Sequence, residues 1–431
     1  MRKQLKTLMA SLFLLVAGGT LAAQESTRLE LSLEQAQQYA LDNNRTLANA
    51  ALDVQKSQAT RWKTIASMLP QISAQGDYSN FLGYTMDFGT MSIPMNPNGT
   101  LSVTAAVALS GAQVVAIQIT KIAEHMADLS QKQSEQQVRD QVKTLYYSAL
   151  VMEETVKLLE ENLGNMEQLY NYTEASVKAG IAEQTDADQL LVQLATMQTT
   201  ISSSRRSLEM VYNSMLLQLG LDVNTEIVLT DTIDGLLNLQ TASELLTQDF
   251  NLENNYNWQL LNENVNLARK QVHSARWAYA PTLSAYYQYS AKTYFGKDEG
   301  MNMTPPNMVG ASVSIPLFSS FSRLKAVKEA KFDYEKQLNT LADTEDALRV
   351  QHRQLCYNLK TAFETFNTQK QNIDVTQRVF NNISNKYEVG AASSLDLTNA
   401  GTNLISAQSS YVQALMELVN AQIALEELLN K

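Results

Sequence analysis

Val177-Lys178-Ala179-Gly180-Ile181-Ala182-Glu183-Gln184-Thr185-Asp186 and Tyr387-Glu388-Val389-Gly390-Ala391-Ala392-Ser393-Ser394-Leu395-Asp396 decide the fold between them. Placed at an offset of 210 residues, they share a glycine and, six positions on, an aspartate. Asn43-Asn44 returns as Asn254-Asn255, Pro70 as Pro281 and Ser32 as Ser243, each at an offset of 211. That period is far longer than a solenoid repeat. The chain therefore reads as a duplication.

The apolar register repeats as well. Val138, Val142, Leu145, Ala149, Met152, Val156, Leu159, Leu163, Met166 and Tyr170 step alternately by four and three, which is a heptad seam. Moved on by 210, the register meets Leu348, His352, Leu355, Leu359, Ala362, Phe366, Gln369, Ile373, Thr376 and Phe380, of which seven are apolar. Unrelated coiled coils would share the heptad but not the glycine and aspartate landmarks.

Each copy reads helix, strand, loop, strand, very long helix, glycine turn, helix. In the first copy the helices are expected at 33–68, where Pro70 stops the first, at 113–177 and at 186–219. Thr185 or Asp186 is placed to cap the last of these. The second copy repeats them at 244–279, 320–388 and 394–430. The expected organisation is a first repeat at 24–220 with a strand pair at 70–111, an inter-repeat segment at 221–242 packed as a band around the helical waist, and a second repeat at 243–431 with a strand pair at 281–318. A helix of that length spans about 100 Å. The two shorter helices of one copy match it end to end. This is too long for a compact domain and too polar for a bilayer; it suits an object crossing an aqueous gap such as the periplasm.

The strands alternate strictly. Leu101, Val103, Ala105, Val107 and Leu109 alternate with Ser102, Thr104, Ala106, Ala108 and Ser110, and the runs from Gln71, Thr282 and Val309 behave alike. Each has about the 9–11 residues of a tilted membrane strand. The same alternation fits a soluble sandwich with one wet face. Four strands cannot close a barrel, and open edges cannot face lipid, so a membrane barrel needs several chains. The segments 81–100 and 293–307, with Gly, Pro and Asn, are expected as outward-facing loops.

Composition narrows the function. The chain has 431 residues, seven prolines, 16 glycines, 45% hydrophobic and 18% charged residues, a balance that suits long helices burying one face. A net charge of −11 with no basic cluster argues against nucleic acid as a partner. A single cysteine, Cys356, excludes an internal disulfide or a multi-cysteine metal site. Arg2, Lys3 and Lys6, the apolar run 8–16 and Thr20-Leu21-Ala22-Ala23 predict a signal peptide at 1–23. The alternative, a membrane anchor, needs a span of about 20 apolar residues.

In these features the chain resembles the TolC family of outer-membrane efflux proteins, over nearly its whole length after residue 23. The markers are the duplicated glycine and aspartate turn, Ile315-Pro316-Leu317-Phe318 at a strand end, and Asn-Asn at the first helix. The resemblance implies a mainly helical protein with a membrane β portion. Three chains form a twelve-stranded β-barrel, four strands from each, that continues into a long α-helical coiled-coil barrel. It implies a homotrimer set in outer-membrane lipid with its helices in the periplasm. Such a channel joins a periplasmic adaptor and an inner-membrane pump, as the passive exit duct of a tripartite efflux or type I secretion system. It implies a pore gate at the turns, with Tyr387 in the place of the gate tyrosine and Thr185 and Asp186 in those of its partners. It implies that Asp396 stands at an acidic position facing the pore, where three copies would make a cation-binding ring. Two departures stand out: Asn399 replaces a second acidic position, and Ala392 replaces an arginine that ties the closed gate. The turns would also receive the adaptor, through Gly180, Gly390, Val177, Lys178, Ala179, Ile181, Val389, Ala391 and Leu395. For Asp186 and Asp396 plain helix capping is the competing reading, and for the contact residues mere closure of the turn.

No catalytic or cofactor pattern is present. His125, His273 and His352 lack metal-ligand spacing, and no Ser/His/Asp order or phosphate loop is visible. Methionines in or beside the outer loops, Met86, Met91, Met95, Met301, Met303 and Met308, suit adaptable packing or soft-metal binding. The reading from a different class is a periplasmic coiled-coil scaffold or adaptor without a pore. The strand alternation separates the two.

Overall fold

The computed structural model describes residues 28–233, 244–295 and 305–430. The expected signal segment, the part of the inter-repeat segment from 234 to 242 together with Ser243, and Met301 and Met303 lie outside the described residues. In chain order the elements are β1 (Arg28–Leu31), α1 (Leu33–Asn43), α2 (Arg45–Ala66), β2 (Gln71–Ser79), β3 (Thr85–Phe88), β4 (Met91–Pro94), β5 (Asn98–Leu109), α3 (Gly111–Lys178), α4 (Gln184–Leu219), β6 (Glu226–Leu229), a 3-10 turn (Leu252–Asn254), α5 (Tyr256–Trp277), β7 (Thr282–Tyr294), β8 (Asn307–Ser314), α6 (Ser322–Glu388) and α7 (Ser394–Leu429).

Helices α3 and α6 run for 68 and 67 residues. The heptad keeps one stripe turned inward along each. Val138, Val142, Ala149, Val156, Leu159 and Met166 are buried in α3; Leu348, Leu359, Ala362, Phe366 and Phe380 are buried in α6.

The first helix of each copy departs from expectation. Instead of one helix over 33–68 there are two, broken at Asn44. Its backbone is extended, and its side-chain oxygen accepts from the N–H groups of Thr46 at 2.8 Å and Leu47 at 3.4 Å. Asparagine offers the backbone this local alternative to a helix, and such a cap stabilises by about 1 kcal/mol. Helix α2 then ends at Ala66 rather than at 68, because its last turn tightens: Met68 and Leu69 donate three residues back, to the Ile65 and Ala66 carbonyls, at 3.0 Å each. The expected helix over 244–279 is likewise replaced by the 3-10 turn and α5. Asn255 caps α5 through the N–H groups of Asn257 and Trp258, and its amide donates to the Leu428 carbonyl at 3.2 Å. The repeated asparagine is therefore a repeated cap.

Strands β2, β5, β7 and β8 form one antiparallel sheet in that order. The hairpins of both repeats are joined by β5 and β7, which pair from Asn98↔Tyr294 to Leu109↔Leu283. The register sorts the residues by face. Ile72, Ala105, Tyr287 and Val309 lie in one row, and Val107, Ala285 and Ala311 in another, on an apolar face. Rows such as Ser73, Thr104 and Gln288, or Ala108, Ser284 and Ser312, occupy a polar one. Ile72 is 76% and Val309 82% exposed, so the single chain leaves the apolar face uncovered. Strands β2 and β8 are the sheet's edges. On the polar face Tyr286 lies where a Cβ on Gly310 would come within 2.5 Å. The outer segment 81–100 is not all loop, since it carries the hairpin β3–β4, and β5 begins at Asn98.

Near the inter-repeat segment β1 pairs in parallel with β6. The buried Tyr146 hydroxyl donates to the Asp231 carboxylate at 2.8 Å and lies 2.9 Å from the Leu31 carbonyl. Burial, then the bond to Asp231, pushes its pKa well up. Asp231 also accepts from the N–H of Leu33 at 2.7 Å, at the start of α1.

The described residues form two compact units, each drawing on both repeats. One holds those of 1–43, 141–238 and 373–412; the other those of 44–140, 239–372 and 413–431. Among the described residues no helix is long and apolar enough to cross a membrane.

Candidate functional site at the two glycine turns

The unit containing the turns has a core drawn from four helices. Leu159, Met166 and Leu169 of α3 and Leu190, Leu194, Met197 and Ile201 of α4 pack with Phe380 of α6 and Leu397, Ala400 and Leu404 of α7. This core holds the α3–α4 turn and the α6–α7 turn at the same end.

Each turn is a Schellman motif. Gly180 donates to the Val177 carbonyl at 2.9 Å and Ile181 to that of Ser176 at 2.9 Å; Gly390 donates to Tyr387 at 2.9 Å and Ala391 to Lys386 at 2.8 Å. The glycines adopt φ of 72° and 73°, which the motif requires and which other L-residues reach at a cost. The helices that follow start on the same reciprocal cap, built from Glu183 and Asp186 in one and from Ser393 and Asp396 in the other. Glu183 and Asp186 form a capping box, with the Glu183 N–H donating to Asp186 at 3.2 Å, while Thr185 donates to the Glu183 carboxylate at 3.2 Å. In the other turn the Ser393 hydroxyl donates to Asp396 at 2.7 Å, and the Ser393 N–H at 3.1 Å. These bonds from Ser393 hold the Asp396 carboxyl below the usual carboxylate range, although it is fully exposed.

Three contacts tie one turn to the other. Ser394 donates to the second oxygen of Asp186. The Tyr172 hydroxyl donates to the Glu388 carbonyl at 2.9 Å. The Tyr387 hydroxyl lies 3.0 Å from that of the buried Thr173, whose own proton goes to the Leu169 carbonyl at 2.9 Å. Tyr387 must therefore be the donor. Deeper in the same unit the buried side chains of Asn162 and Gln408 are joined at 2.6 Å.

Of the residues singled out in the sequence, Asp186 and Asp396 sit at helix starts as capping predicts. Within the chain Tyr387 meets Thr173 rather than Thr185 or Asp186. Asn399 is exposed and Ala392 half-buried. Lys178, Ala179, Gly180, Ile181, Val389, Gly390, Ala391 and Leu395 are exposed and Val177 is half-buried. Lys178 pairs with Glu174 at 3.1 Å. Thr173, Tyr172 and Ser394 were not anticipated. They join helices about 200 residues apart, and their counterparts in the other copy, Ile383, Asn382 and Gln184, break the repeat pattern.

The model of the outer membrane efflux protein family matches residues 36–220 and 251–431. The chain belongs to that family. The match takes in both repeats and both turns, and excludes the scaffold reading: this is an outer-membrane efflux protein, with its helices on the periplasmic side. Among curated members of similar sequence is the probable efflux pump outer membrane protein TtgC of Pseudomonas putida, 22% identical over 91% of this chain and 82% of its own. Among solved structures, the CmeC outer membrane channel of Campylobacter jejuni aligns with a TM-score of 0.77 at 14% identity, covering 92% of this chain and 85% of that one. The open state of the MtrE outer membrane channel of Neisseria gonorrhoeae gives 0.76 at 14%, covering 92% and 88%. At such identities the likeness shows the fold.

Proposed function

We propose that three copies of this chain form the exit duct of a tripartite pump, joined at the turns to a periplasmic adaptor and beyond it to an inner-membrane transporter. The observation that carries this reading is the sheet, which among the described residues has one uncovered apolar face, one polar face and two unpaired edges. In lipid every backbone polar group needs a partner, so β8 of one copy pairs with β2 of the next, and three copies close a twelve-stranded barrel. The apolar rows then face lipid and the serine and glutamine rows face water. The duct is passive and has no catalytic role. The two repeats at 24–220 and 243–431, separated by 221–242, serve as successive arcs of its wall.

The gate lies at the glycine turns. Tyr387, Thr185, Asp186, Asp396 and Asn399 form its lining and its ties, and the exposed turn residues receive the adaptor. Asp396 bonded to Ser393 stays ionised, and three copies present a negative ring to the pore. Conductance in a planar bilayer tests this. Asp396→Ala is expected to abolish block by divalent cations. Unchanged block and unchanged conductance would refute the ring. Absence of any conductance from the wild type would refute the duct.

A further inference from the structure

The four helix ends that meet the sheet differ in charge from the rest of the molecule. Residues 54–69, 111–123, 264–280 and 319–328 contain ten of the chain's 33 Lys and Arg and no Asp or Glu, in a chain of net charge −11. The helices concerned are the end of α2, the start of α3, the end of α5 and the start of α6, and all of these segments belong to one compact unit. Lys63, Lys121, Arg269, Arg276, Lys325 and Lys328 are exposed there, and none makes an ion pair among the described residues. The first carboxylates met further along the helices are Asp53, Glu124, Glu263 and Glu329.

Aromatic side chains occupy the same level. Trp62 is 64%, Trp277 48%, Tyr279 48% and Phe321 66% exposed. Two of the chain's three tryptophans are thus placed just past the strand ends. At the start of α6, with Phe321 just before it, the basic and aromatic residues share a face. Phe321, Leu324, Lys325, Lys328 and Phe332 are exposed, while Arg323, Val327, Ala330 and Tyr334 turn the other way and are half-buried. The Arg323 guanidinium donates to the Pro316 carbonyl at 2.8 Å and lies over the Tyr279 ring, tying the start of α6 to the strand ends.

We infer that this collar binds the phosphate groups of anionic glycerophospholipids in the leaflet facing the helices. The inference rests on the reading of the sheet as a membrane barrel, which puts the helix ends at the headgroups. Tryptophan and tyrosine settle at that level because each has an apolar body and a polar edge. Lysine and arginine next to a membrane-spanning segment favour anionic lipid. Repulsion among the clustered cations is relieved when lipid phosphates intervene. Recognition is by charge and depth, with no shaped pocket required.

Native mass spectrometry of the full-length protein released from a mild detergent tests the collar, using equimolar phosphatidylglycerol and phosphatidylcholine. Phosphatidylglycerol should be retained in about tenfold preference, and the preference should fade as ionic strength rises. In the triple variant Arg276→Gln, Lys325→Gln, Lys328→Gln the preference should fall close to parity while the channel still conducts. Equal retention of both lipids by the wild type overturns the proposal, and so does a triple variant that keeps the preference. Displacement of the lipid by glycerol 3-phosphate at comparable concentration overturns it in favour of a free-phosphate site. Loss of assembly in the triple variant with the preference intact overturns it by placing that face between copies. Failure of the wild type to enter vesicles of either lipid removes the membrane reading as well, whereas insertion without preference removes the collar alone.

Discussion

Replacing Gly220 by alanine should damage the protein far more than the same change at Gly180, though both end a helix in the same way. Gly220 donates to the Leu217 carbonyl at 3.2 Å and Leu221 to that of Leu216 at 2.9 Å, the bonding found at the two turns. Its φ of 70° matches the 72° of Gly180. The left-handed conformation costs an L-residue about 1–2 kcal/mol. At Gly180 nothing among the described residues lies within 4 Å of a new Cβ, so that cost is the whole effect. At Gly220 a Cβ would stand 2.5 Å from the Asn43 carbonyl oxygen. Asn43 ends α1, so relief must displace backbone, and overpacking of this kind adds about 1–3 kcal/mol. Gly220→Ala should therefore cost about 2–5 kcal/mol in total. Loss of helical circular dichroism in urea, with the protein held in detergent, measures both variants on one scale. An asparagine series separates the two terms, because asparagine tolerates the left-handed region. Gly180→Asn should be nearly neutral, and Gly220→Asn should remain severe. Equal midpoints for Gly180→Ala and Gly220→Ala would refute the steric argument.

Tyr387→Phe removes a donor from a buried hydroxyl that keeps its bond to Leu169, so it should weaken the tie between the turns by about 1 kcal/mol; single-channel recordings should show more frequent opening. Ser393→Ala removes the hydroxyl bond, the larger of the two that hold the Asp396 carboxyl low, and leaves the backbone one, so the pH at which divalent block disappears should rise. The wild type, whose pKa is depressed, should keep its block at neutral pH and lose it only as pH falls through the lowered value. His352 stacks on Phe250 with ring centres 5.1 Å apart, and burial lowers its pKa. Its unfolded form gains a proton first, so stability should fall as pH drops below about 6.5, and His352→Phe should flatten that slope in thermal unfolding. Asn44→Ala should cost about 1 kcal/mol through loss of the α2 cap, read as a lower urea midpoint.

The long helices were legible because a heptad imposes the same demand at every turn, and any ten residues of α3 or α6 repeat the message. The break at Asn44 was not legible in the same way. Apolar periodicity continues across it, and asparagine inside a helix is only mildly unfavourable. The decision comes from whether its side chain finds the N–H groups of Thr46 and Leu47. Alternation in β5 and β7 told which residues share a face, but not that these two strands pair. That pairing brings together residues about 190 positions apart, and no local pattern encodes it. The short strands β1 and β6 carry too few residues for periodicity to speak. At the turns, Gly180, Gly390, Asp186 and Asp396 announced themselves because backbone conformation and capping are local requirements. Thr173, Tyr172 and Ser394 act only across the gap between helices, so the sequence holds no sign of their partners.

The most extended strand pairing lies between the halves of the duplication, from Asn98 to Leu109 against Leu283 to Tyr294. The peptide link at 234–243 is thus not what keeps the two halves in register. Severing it should leave two polypeptides that recognise each other through a full-length antiparallel ribbon. Co-expressed fragments ending at 233 and starting at 244 should reassemble, as two genes doing the work of one.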